Sequence, residues 1–522
     1  MTKYSMVYDS GSKLLKCAIA DEMGTIISHH SIEPEVIASE DGFQREWNYR
    51  NYWDNLIKLT KKTIKSSEIN PKNIKYITAS SIRPSCVFAD ENNNAVYIGA
   101  SFELRGIDYA EEIEDEFYEV TGKSLYHSCG HFPSLLLVPS RLKYFQEENS
   151  NDDRINSITQ YIPQESWILT KFGGEVHTNY LSAGESGFFD LEKKIWHPEW
   201  NNILDLPDYF FPWPVLPGEI IGIVDEKWQE ELGLSSETKL VAGLPDTQAA
   251  LLGCESIYLN SVTAVLGTTT PVQAITEELI IPSEEKTWSG LMMIKNLCDN
   301  YYIEANTGMT GQILKWASNL FYSESNTTLK QRFQKLDTAY KNYDQYELKT
   351  EISDIQGSRV YSLLGPAVLS NTQMGMAPGI FNFESPGGVE EIKTSKEAFV
   401  AAVFDNIQFA VSRNIEIASE LSKKNDPKIS IVGGVTRNPV LVQRFSDYFQ
   451  KQITTSSHYE TSIQGMLVLC DIADGKIRNI KDLQERNKNL GLLNEIDPRP
   501  SMKKKIYVRY KSWLKLFNDY YQ

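Results

Sequence analysis

Two short apolar segments that each lead into a polar turn lie close together between Val241 and Val272. The first passes through a Gly-Leu-Pro bend to Asp246, which opens a run of small residues typical of the first turns of a helix. The second, Val262 to Leu266, is apolar and β-branched, and Gly267 and three threonines follow it. A strand that ends in glycine and hydroxyl residues lets backbone N–H groups approach an anion closely. The stretch therefore offers a carboxylate and a hydroxyl-rich turn.

Two hypotheses account for this stretch. In the first, Asp246 is the general base of a phosphotransferase, beside a nucleophile the size of a sugar or of water, and the threonine turn holds a phosphate. In the second, Asp246 is the N-cap of a helix and the threonine run closes a tight hairpin. Motifs elsewhere in the chain are needed to distinguish the two hypotheses.

The length and the charge of the chain limit the classes of protein that it can be. A chain of 522 residues is too long for one compact core, so two large domains are expected. Its 52 basic and 69 acidic residues give a net charge of −17, which argues against nucleic acid and anionic membrane as main partners. ATP stays compatible with an acidic surface, because it needs only a local anion-binding turn and a metal ion.

Cysteine use and hydropathy predict a cytoplasmic protein without a zinc site. The 6 cysteines are scattered, with neither zinc-like spacing nor the pattern of a disulfide framework. The 7 histidines also lack an arrangement with carboxylates that would bind a metal. The N-terminal segment lacks a basic stretch followed by an apolar core, so no secretory signal is expected, and no apolar run approaches the roughly 20 residues that span a bilayer.

The first turn of the chain has the features of a phosphate-binding hairpin. Strands are predicted at residues 4–8, 14–20 and 25–31, joined in a meander. In the first turn, Asp9 ends a strand, Gly11 can take a positive φ, and Ser12 supplies a hydroxyl. Lys13 and Lys16 add positive charge nearby. The order strand, Asp-x-Gly-Ser/Thr, strand is the phosphate hairpin of actin-like ATPases, although Asp-x-Gly turns also join ordinary hairpins.

Charged residues in the next part of the chain are candidates for binding a polyhydroxy compound. Arg83 follows a strand predicted at residues 76–79, and Glu103 and Arg105 follow a hairpin predicted at residues 86–98. Charged and amide groups hold polyols because they match the hydrogen-bonding capacity of hydroxyl groups. For the last two residues, an ordinary glutamate–arginine pair on the surface is the alternative.

A double glycine late in the chain has the context of a nucleotide-binding loop. A strand of the buried type is predicted at residues 428–432; it leads into Gly433 and Gly434, with Asn438 soon after. Without a Cβ, the loop backbone can approach a nucleotide closely, and the start of a helix favours an anion. A glycine-rich helix start that binds no ligand is the alternative.

The remaining elements complete an α/β pattern. Amphipathic helices are predicted at residues 45–66 and 396–421, and a further helix is expected to cross a neighbour at Gly465. Residues 323–350 are polar and charged, which indicates a variable excursion or a helical insert. From Met502 the tail is basic and then aromatic, which predicts a docking helix and makes the tail a candidate surface for a homodimer.

Taken in order, these motifs are similar to those of one family. An Asp-x-Gly-Ser hairpin opens the chain, Asp246 and a Gly-Thr-Thr turn fall near the middle, and a double-glycine loop follows a strand at Gly433. This order resembles the FGGY carbohydrate kinase family over about residues 4–475. The resemblance implies an α/β protein with the two-domain ribonuclease H/actin-like ATPase fold and an inter-domain cleft. It places an N-terminal domain at residues 1–255, a C-terminal domain at 256–480 and a docking tail at 481–522.

The resemblance also implies a reaction. The γ-phosphate of ATP would pass to a hydroxyl of a small sugar, ketose or polyol, with Asp246 as general base and with Mg²⁺ near Asp9 and Asp246. The implied substrate-binding residues are Arg83, Glu103, Arg105, Asp246 and Gln248. The implied ATP-binding residues are Gly11, Ser12, Lys13, Lys16, Gly267, Thr268, Thr269, Gly311, Gly433, Gly434 and Asn438.

Within the family, two subgroups have the most similar motifs. The stretches around Arg83, Glu103 and Asp246 look like those of autoinducer-2 kinases, and the general layout is similar to that of xylulokinases. Ser12 stands where threonine is usual, Glu103 where aspartate is usual, and Pro84 where those subgroups carry glutamate or histidine. Glu103 and Pro84 bear on which sugar is bound, and the three departures together leave a catalytically weak family member as one alternative. Because fold does not fix function, an actin-like ATPase that uses nucleotide to change shape or bind a partner is the other.

Overall fold

The chain folds into two compact units. A computed structural model describes residues 2–148, 152–284, 287–324, 326–351, 360–365, 379–383, 394–458 and 460–521. Unit 1 comprises Met1–Leu259, Ile275–Ile303 and Glu460–Gly491, and unit 2 comprises Asn260–Ala274, Glu304–Tyr459 and Leu492–Gln522. The domain boundaries predicted from the sequence stay a prediction, because each compact unit is made of three separate chain segments whereas each predicted domain is one continuous segment.

Helices and strands are interspersed along the chain, as is usual in proteins that contain both. The strands are β1 (Tyr4–Ser10), β2 (Leu15–Asp21), β3 (Ile26–Ile32), β4 (Val36–Ala38), β5 (Arg45–Trp47), β6 (Ile74–Ser81), β7 (Cys86–Ala89), β8 (Ala95–Gly99), β9 (Gln160–Ile162), β10 (His177–Asn179), β11 (Phe189–Asp190), β12 (Ile195–Trp196), β13 (Trp213–Val215), β14 (Ile220–Ile223), β15 (Lys239–Val241), β16 (Leu244–Pro245), β17 (Ser261–Val265), β18 (Pro271–Thr276), β19 (Trp288–Ile294), β20 (Cys298–Asn306), β21 (Tyr361–Leu363), β22 (Ile380–Asn382), β23 (Lys428–Val432), β24 (Ile453–Ser456) and β25 (Leu493–Ile496). The helices are α1 (Tyr49–Ser67), α2 (Ala110–Thr121), α3 (Leu125–Cys129), α4 (Val138–Glu148), α5 (Asp153–Asn156), α6 (Gln164–Lys171), α7 (Tyr180–Glu185), α8 (Trp200–Ile203), α9 (Glu226–Leu232), α10 (Asp246–Gly253), α11 (Thr310–Tyr322), α12 (Leu329–Lys349), α13 (Lys396–Leu421), α14 (Pro439–Phe449), α15 (Thr461–Ala473), α16 (Ile480–Asn489) and α17 (Lys503–Tyr521).

A mixed sheet forms the centre of unit 1. Its strands lie in the order β14-β15-β6-β1-β2-β3, and β16 also pairs with β6. Strand β1 is antiparallel to β2 and parallel to β6, so Asp9 lies opposite Lys16 on one side and opposite Ser80 on the other. The three predicted N-terminal strands are confirmed, each to within two residues. The register of the sheet therefore fixes which side chains surround Asp9.

The helix predicted at residues 45–66 begins later than expected. Arg45–Trp47 forms strand β5, and α1 starts after Asn48, whose side chain accepts a hydrogen bond from a first-turn backbone N–H at 3.2 Å. Trp47 is buried and pairs with Ile98 of β8. The hydrophobic period predicted the helix correctly, but an asparagine N-cap and a buried strand pair determine where it begins.

Two glycines let helices α10 and α15 of unit 1 pack closely. A Cβ on Gly253 would lie 2.1 Å from the carbonyl oxygen of Thr461, and a Cβ on Gly465 would lie 1.9 Å from that of Ala249. Neither position can carry a side chain without separating the two helices. The helix crossing predicted at Gly465 is therefore confirmed, and it holds the first turn of α10 in place.

Unit 2 has a sheet in which parallel strands end at the same edge. Strands β18, β17, β23, β24 and β25 are neighbours in that order. Strands β17 and β23 are parallel and in register, with Val265 opposite Val432. The turns that follow them, at Gly267 and Gly433, therefore leave the sheet side by side. The strand predicted at residues 428–432 is confirmed.

Two further helices correspond to stretches for which the sequence made predictions. Within the polar stretch at residues 323–350, Leu329–Lys349 forms α12, which begins with a capping box made by Thr328 and Gln331. Helix α13 has the bounds predicted for it, Lys396–Leu421. Among the described residues, no helix is both long and apolar enough to cross a bilayer.

Buried ion pairs hold the C-terminal helix on unit 2. Arg509 of α17 donates to Asp405 of α13 at 2.8 Å, and both side chains are buried. Arg509 also lies 3.4 Å from Glu347 of α12. Trp513 of α17 is 1% exposed, so the aromatic tail does dock on its own unit. Its use as a dimer surface stays a prediction.

We expect Arg509→Ala to destabilise the protein by about 3–5 kcal/mol, because it leaves the Asp405 carboxylate buried without its guanidinium partner. Thermal or urea unfolding measures the loss. Lys515→Ala, at an exposed position of the same helix, is the control and should change the free energy of unfolding by less than about 0.5 kcal/mol. Equal losses in the two variants would contradict the role given to Arg509.

Candidate active site

Asp9 lies at the end of β1 with three polar neighbours. Its side chain is nearly buried and accepts hydrogen bonds from Lys16 Nζ, Ser80 Oγ and Ser462 Oγ, each at 3.1 Å. The sheet register places Lys16 and Ser80, and the start of α15 places Ser462. The Asp9 carboxylate is therefore held in a fixed position, as buried polar groups usually are.

Lys16 is shared between two carboxylates. Its ammonium group lies 3.1 Å from Asp9 and 2.7 Å from Glu460. Burial lowers the pKa of Lys16, but the two carboxylates outweigh burial and raise that pKa above its ordinary value. Lys16 is therefore a permanent positive charge beside Asp9.

The other residues of the predicted phosphate hairpin form a tight turn. The backbone N–H of Gly11 donates to the carbonyl oxygen of Leu14 at 3.0 Å. Ser12 is half-buried, whereas Lys13 is exposed and lies 3.8 Å from Glu33. A turn of this kind suits an anion, and the role of these residues in ATP binding stays a prediction.

Asp246 is the first residue of α10. Pro245 holds the N-cap position, so the hypothesis that Asp246 caps the helix is wrong. The Asp246 carboxyl reaches solvent only in part, and burial, followed by the negative charge of Asp9, raises its pKa to about 7, while Arg83 acts to lower it. Asp246 therefore lies close enough to Asp9 for the two charges to repel, and it exchanges a proton near neutral pH.

Arg83 belongs to a buried cluster around Glu185, here called the Glu185 cluster. Glu185 Oε1 accepts from Arg83 Nη1 at 3.0 Å, from Gln248 Nε2 at 2.7 Å and from Tyr302 Oη at 2.7 Å. The Arg83 guanidinium also lies over the Trp288 ring, 5.8 Å from the ring centre. Two residues predicted to bind substrate, Arg83 and Gln248, are thus brought together.

The sequence did not indicate Glu185 or Tyr302. Arg83 and Glu185 are 102 positions apart, and Arg83 and Tyr302 are 219 positions apart, so their meeting depends on the topology of the fold. The available signal was weak: Glu185 follows a run of small residues that is otherwise suited to burial. A buried glutamate of that kind needs a partner, but the sequence does not say which.

Glu103 and Arg105 form a separate buried ion-pair cluster in unit 1. Arg105 Nε lies 2.7 Å from Glu103, and Arg105 Nη2 lies 2.7 Å from Glu46. The Arg105 guanidinium also packs over the Tyr144 ring, 5.4 Å from its centre. These contacts correspond to the alternative interpretation, an ordinary glutamate–arginine pair, although Glu103 is buried rather than on the surface. A role for either residue in substrate binding stays a prediction.

In unit 2, three of the predicted nucleotide-binding turns meet. The backbone N–H of Gly311 donates to the carbonyl oxygen of Gly267 at 3.1 Å. A Cβ on Gly311 would lie 2.4 Å from that oxygen, and a Cβ on Gly433 would lie 2.6 Å from the Leu266 carbonyl oxygen. Gly433 also has a φ of +101°, which favours glycine. The three turns therefore pack backbone against backbone.

The other predicted residues of these turns are open to solvent or act as caps. Thr268 and Gly434 are exposed, Thr269 is half-buried, and a Cβ on Gly434 would meet no atom within 4 Å. Asn438 caps α14 and donates to Asp337 at 2.8 Å. Exposed peptide groups beside a glycine loop and a helix start suit an anion such as a phosphate, and the role of these residues in ATP binding stays a prediction.

Both halves of the chain match one family of enzymes. Residues 4–253 match the family model described as the FGGY family of carbohydrate kinases, N-terminal domain, and residues 262–473 match the C-terminal domain of the same family. The chain belongs to the FGGY family of carbohydrate kinases. The resemblance inferred from the motifs is therefore confirmed, as is the expected class of reaction, the transfer of phosphate from ATP to an alcohol group of a sugar.

This FGGY kinase is similar over nearly its whole length to proteins from several bacteria. It is 24% identical over 475 residues to the putative sugar kinase YoaC of Bacillus subtilis, with 89% of each chain covered. It is 20% identical over 492 residues to the autoinducer-2 kinase of Escherichia coli K12, covering 92% of this chain and 88% of the other. A gluconate kinase structure from Lactobacillus acidophilus matches with a TM-score of 0.79 at 17% identity, covering 99% of this chain and 98% of that one. The expected two-domain α/β fold is thus confirmed.

Two carboxylates of the FGGY kinase suit a magnesium ion. In the part of the chain that the structure describes, no group of three or more histidine, cysteine, aspartate or glutamate side chains is arranged to hold a metal. Mg²⁺ in kinases needs no such group, because it keeps several waters and binds one or two carboxylates together with the substrate phosphates. Asp9 and Asp246, whose charges interact, match that set of donors.

The raised pKa of Asp246 predicts a loss of stability as the pH rises. The ordinary value is 3.8, so between that pH and about 7 the folded chain binds the proton more tightly than the unfolded chain does, and stability falls through this window. We expect Asp246→Asn, which cannot ionise, to raise Tm by more at about pH 8 than at about pH 5.5. Thermal unfolding without Mg²⁺ and nucleotide measures both shifts. Asp208→Asn, at an exposed position, is the control, and equal shifts of Asp246→Asn at the two pH values would contradict the raised pKa.

Gly433 and Gly434 should respond differently to alanine. Gly433→Ala forces a Cβ to within 2.6 Å of the Leu266 carbonyl oxygen at a φ of +101°, so we expect it to cost about 1–3 kcal/mol of folding stability. Gly434→Ala meets nothing within 4 Å and should change stability by less than about 0.5 kcal/mol, while it weakens ATP binding. Urea unfolding and calorimetric titration with ATP separate the two effects. Unchanged ATP affinity in Gly434→Ala would remove Gly434 from the predicted ATP-binding residues.

Proposed function

We propose that this carbohydrate kinase transfers the γ-phosphate of ATP to a hydroxyl of a small sugar, ketose or polyol, with Asp246 as the general base. The motifs at Arg83 and Asp246, together with the relative named autoinducer-2 kinase, support an autoinducer-2-type or a xylulose-type substrate. We place the enzyme in the cytoplasm, as its composition predicts.

The environment of Asp246 is the observation that supports this proposal best. A general base works best when its pKa lies near the operating pH, because it is then both deprotonated and able to accept a proton. Burial and the charge of Asp9 raise the pKa of Asp246 to about 7, far above that of an ordinary aspartate. An aspartate that served only to start a helix would gain nothing from such a pKa. A carboxylate at this position is suited to take the proton from the attacking hydroxyl.

Unit 1 would bind the sugar. Gln248 lies in the first turns of α10, two positions after Asp246, and shares the Glu185 carboxylate with Arg83. A sugar held by these groups would present a hydroxyl to Asp246 in a fixed orientation, and orientation supplies much of the rate enhancement in phosphoryl transfer. Glu103 and Arg105, which lie in their own ion-pair cluster, are proposed as contributors on family resemblance alone.

The glycine turns of unit 2 would bind the nucleotide. Gly267, Gly311 and Gly433 leave peptide groups at one edge of the sheet, with Thr268 and Thr269 available for phosphate oxygens and Gly434 and Asn438 for the adenosine part. The hairpin residues Gly11, Ser12, Lys13 and Lys16 would contact phosphate as well. A strand, glycine loop and helix in this order is a common nucleotide-binding arrangement.

Asp9 and Asp246 would hold Mg²⁺ through water. When bound with ATP, the ion neutralises charge on the β- and γ-phosphates. Within the protein, Lys16 pairs with Asp9 at 3.1 Å, and burial, followed by the charge of Asp9, makes Asp246 basic enough to accept a proton. Each of these residues therefore has a stated task that its contacts support.

An ADP-release assay with ketopentoses, polyols, aldonates and dihydroxypentanedione in turn tests the proposal. We expect ADP release to depend on the sugar, and Asp246→Asn to lose turnover by roughly 10²–10⁴-fold while it keeps the binding of ATP and sugar, measured by calorimetry. The exposed Asp208→Asn variant should keep wild-type turnover.

Two outcomes would count against it. Near-normal turnover in Asp246→Asn would remove Asp246 from the role of base. ADP release that no sugar stimulates, but that a protein partner does, would instead favour an ATPase that changes shape with its nucleotide.

A further inference from the structure

The Glu185 cluster contains buried polar atoms without a partner. Among the described residues, Glu185 Oε2, Gln248 Oε1 and His131 Nε2 form no hydrogen bond. Glu185 and Gln248 are 0% exposed, and His131 is 1% exposed. Buried polar atoms are nearly always paired, so three unpaired atoms in one cluster point to a bound ligand.

Contacts show that His131 belongs to this cluster. The His131 ring lies against the Trp288 ring, with the ring centres 4.8 Å apart, and the Arg83 guanidinium lies over the same Trp288 ring. The charges of Glu185 and Arg83 both act on the pKa of His131. The same two charges act on Asp246. The unpaired atoms and the proposed base therefore share one region of unit 1.

The unpaired atoms of Glu185 and Gln248 can only accept hydrogen bonds. Arg83, Gln248 and Tyr302 all donate to Glu185 Oε1, which leaves the second carboxylate oxygen without a donor. The amide nitrogen of Gln248 makes one of these bonds, so its unpaired atom is the amide oxygen. Both oxygens need a donor from outside the cluster.

The unpaired nitrogen of His131 is also an acceptor. His131 Nδ1 lies 2.6 Å from the carbonyl oxygen of Cys129, and because a carbonyl can only accept, Nδ1 carries the proton. Burial lowers the pKa of His131 to about 4, so the ring is neutral at pH 7. In a neutral ring protonated at Nδ1, Nε2 offers a lone pair.

The charge of the cluster reinforces its preference for a ligand that donates hydrogen bonds. Arg83 is paired with Glu185 at 3.0 Å, which neutralises its charge toward a substrate. Asp246 and Asp9 add negative charge nearby. A substrate carboxylate would therefore face three acceptors and an excess of negative charge, whereas a hydroxyl would find three sites to donate to.

We infer that the Glu185 cluster binds the hydroxyl groups of an uncharged polyhydroxy substrate and rejects aldonates, and that Glu185 is the residue that determines this specificity. The inference rests on the proposed function, because it takes Asp246 as the base of the same site. Each hydroxyl of a ketose or polyol brings a donor, but an ionised carboxylate brings none. The fold does not decide between the two classes, since a gluconate kinase shares it.

The wild-type enzyme provides the first test. The kcat/KM of a ketopentose or pentitol is compared with that of an aldonate of the same chain length, by ADP release. We expect the best neutral substrate to exceed the aldonate by roughly 10²-fold or more, because a site built to accept from a hydroxyl discriminates strongly against a group that cannot donate. Equal or better use of the aldonate would overturn the inference.

Glu185→Gln provides the second test. Three donors hold an oxygen at the Oε1 position, so the new NH₂ group takes the Oε2 position and turns an acceptor into a donor. We expect kcat/KM for neutral substrates to fall roughly 10- to 100-fold, mainly through KM, and the ratio of aldonate to neutral substrate to rise. An unchanged ratio would overturn the inference.

Glu347→Gln is the matched control for this variant. Glu347 of unit 2 is, like Glu185, 0% exposed and bonded to a buried arginine, Arg444. It should therefore report the general cost of removing a buried charge without changing the substrate ratio. If Glu185→Gln fails to fold, the wild-type comparison decides on its own.

Failure of the proposed function would be distinguishable from failure of this inference. If no sugar supports ADP release, the kinase reaction proposed above fails, and binding then decides the inference. In thermal unfolding of the wild-type protein, polyols but not aldonates of equal length should raise Tm. Stabilisation by aldonates alone would overturn it.

Discussion

The burial of Asp246 beside a second carboxylate, Asp9, is the constraint on which the chemistry of unit 1 depends. Two like charges in a region of low dielectric cannot both ionise without help, so one pKa rises. Lys16 lies 3.1 Å from Asp9, and burial, followed by the charge of Asp9, raises the pKa of Asp246 to about 7. A stronger cation near Asp246 would make it an ordinary acid and a weak base, and its complete burial would keep it protonated. The observed balance lies between these limits, where a proton can be taken up and released.

Backbone packing sets the spacing of the two carboxylates. Asp9 is placed by the register of β1 with β2 and β6, and Asp246 by the crossing of α10 and α15. Helix α15 contributes to both, because its glycine at position 465 permits the crossing and its first turn brings Ser462 to 3.1 Å from Asp9. A side chain at the crossing would displace Asp246, and it would also weaken the hydrogen bond from Ser462 to Asp9. The spacing of the two charges is therefore a property of the fold.

Local signals predicted much of this structure, and contacts between distant residues account for what they missed. Strand periods and turn residues located β1, β2, β3 and β23, and the long period of α13 gave its bounds. Asp9, Asp246 and Gly433 were identifiable because each follows a strand or bend within a few residues. The Glu185 cluster was not, since its members are 102 and 219 positions from Arg83 and carry no mark of their partners. The same limit applies to α1, whose start depends on a strand pair with β8.

The two units recognise their proposed ligands by different physical means, and this difference bears on how the family varies. Unit 2 offers peptide groups at Gly311 and Gly433, where a side chain would collide with a neighbouring carbonyl, so this surface cannot change at those positions without changing the packing. A nucleotide common to the whole family suits such a surface. Unit 1 offers side-chain acceptors on Glu185, Gln248 and His131. Side chains, unlike peptide groups, change with a single substitution. Substrate choice can therefore diverge while the fold persists, which is consistent with a TM-score of 0.79 at 17% identity to a gluconate kinase.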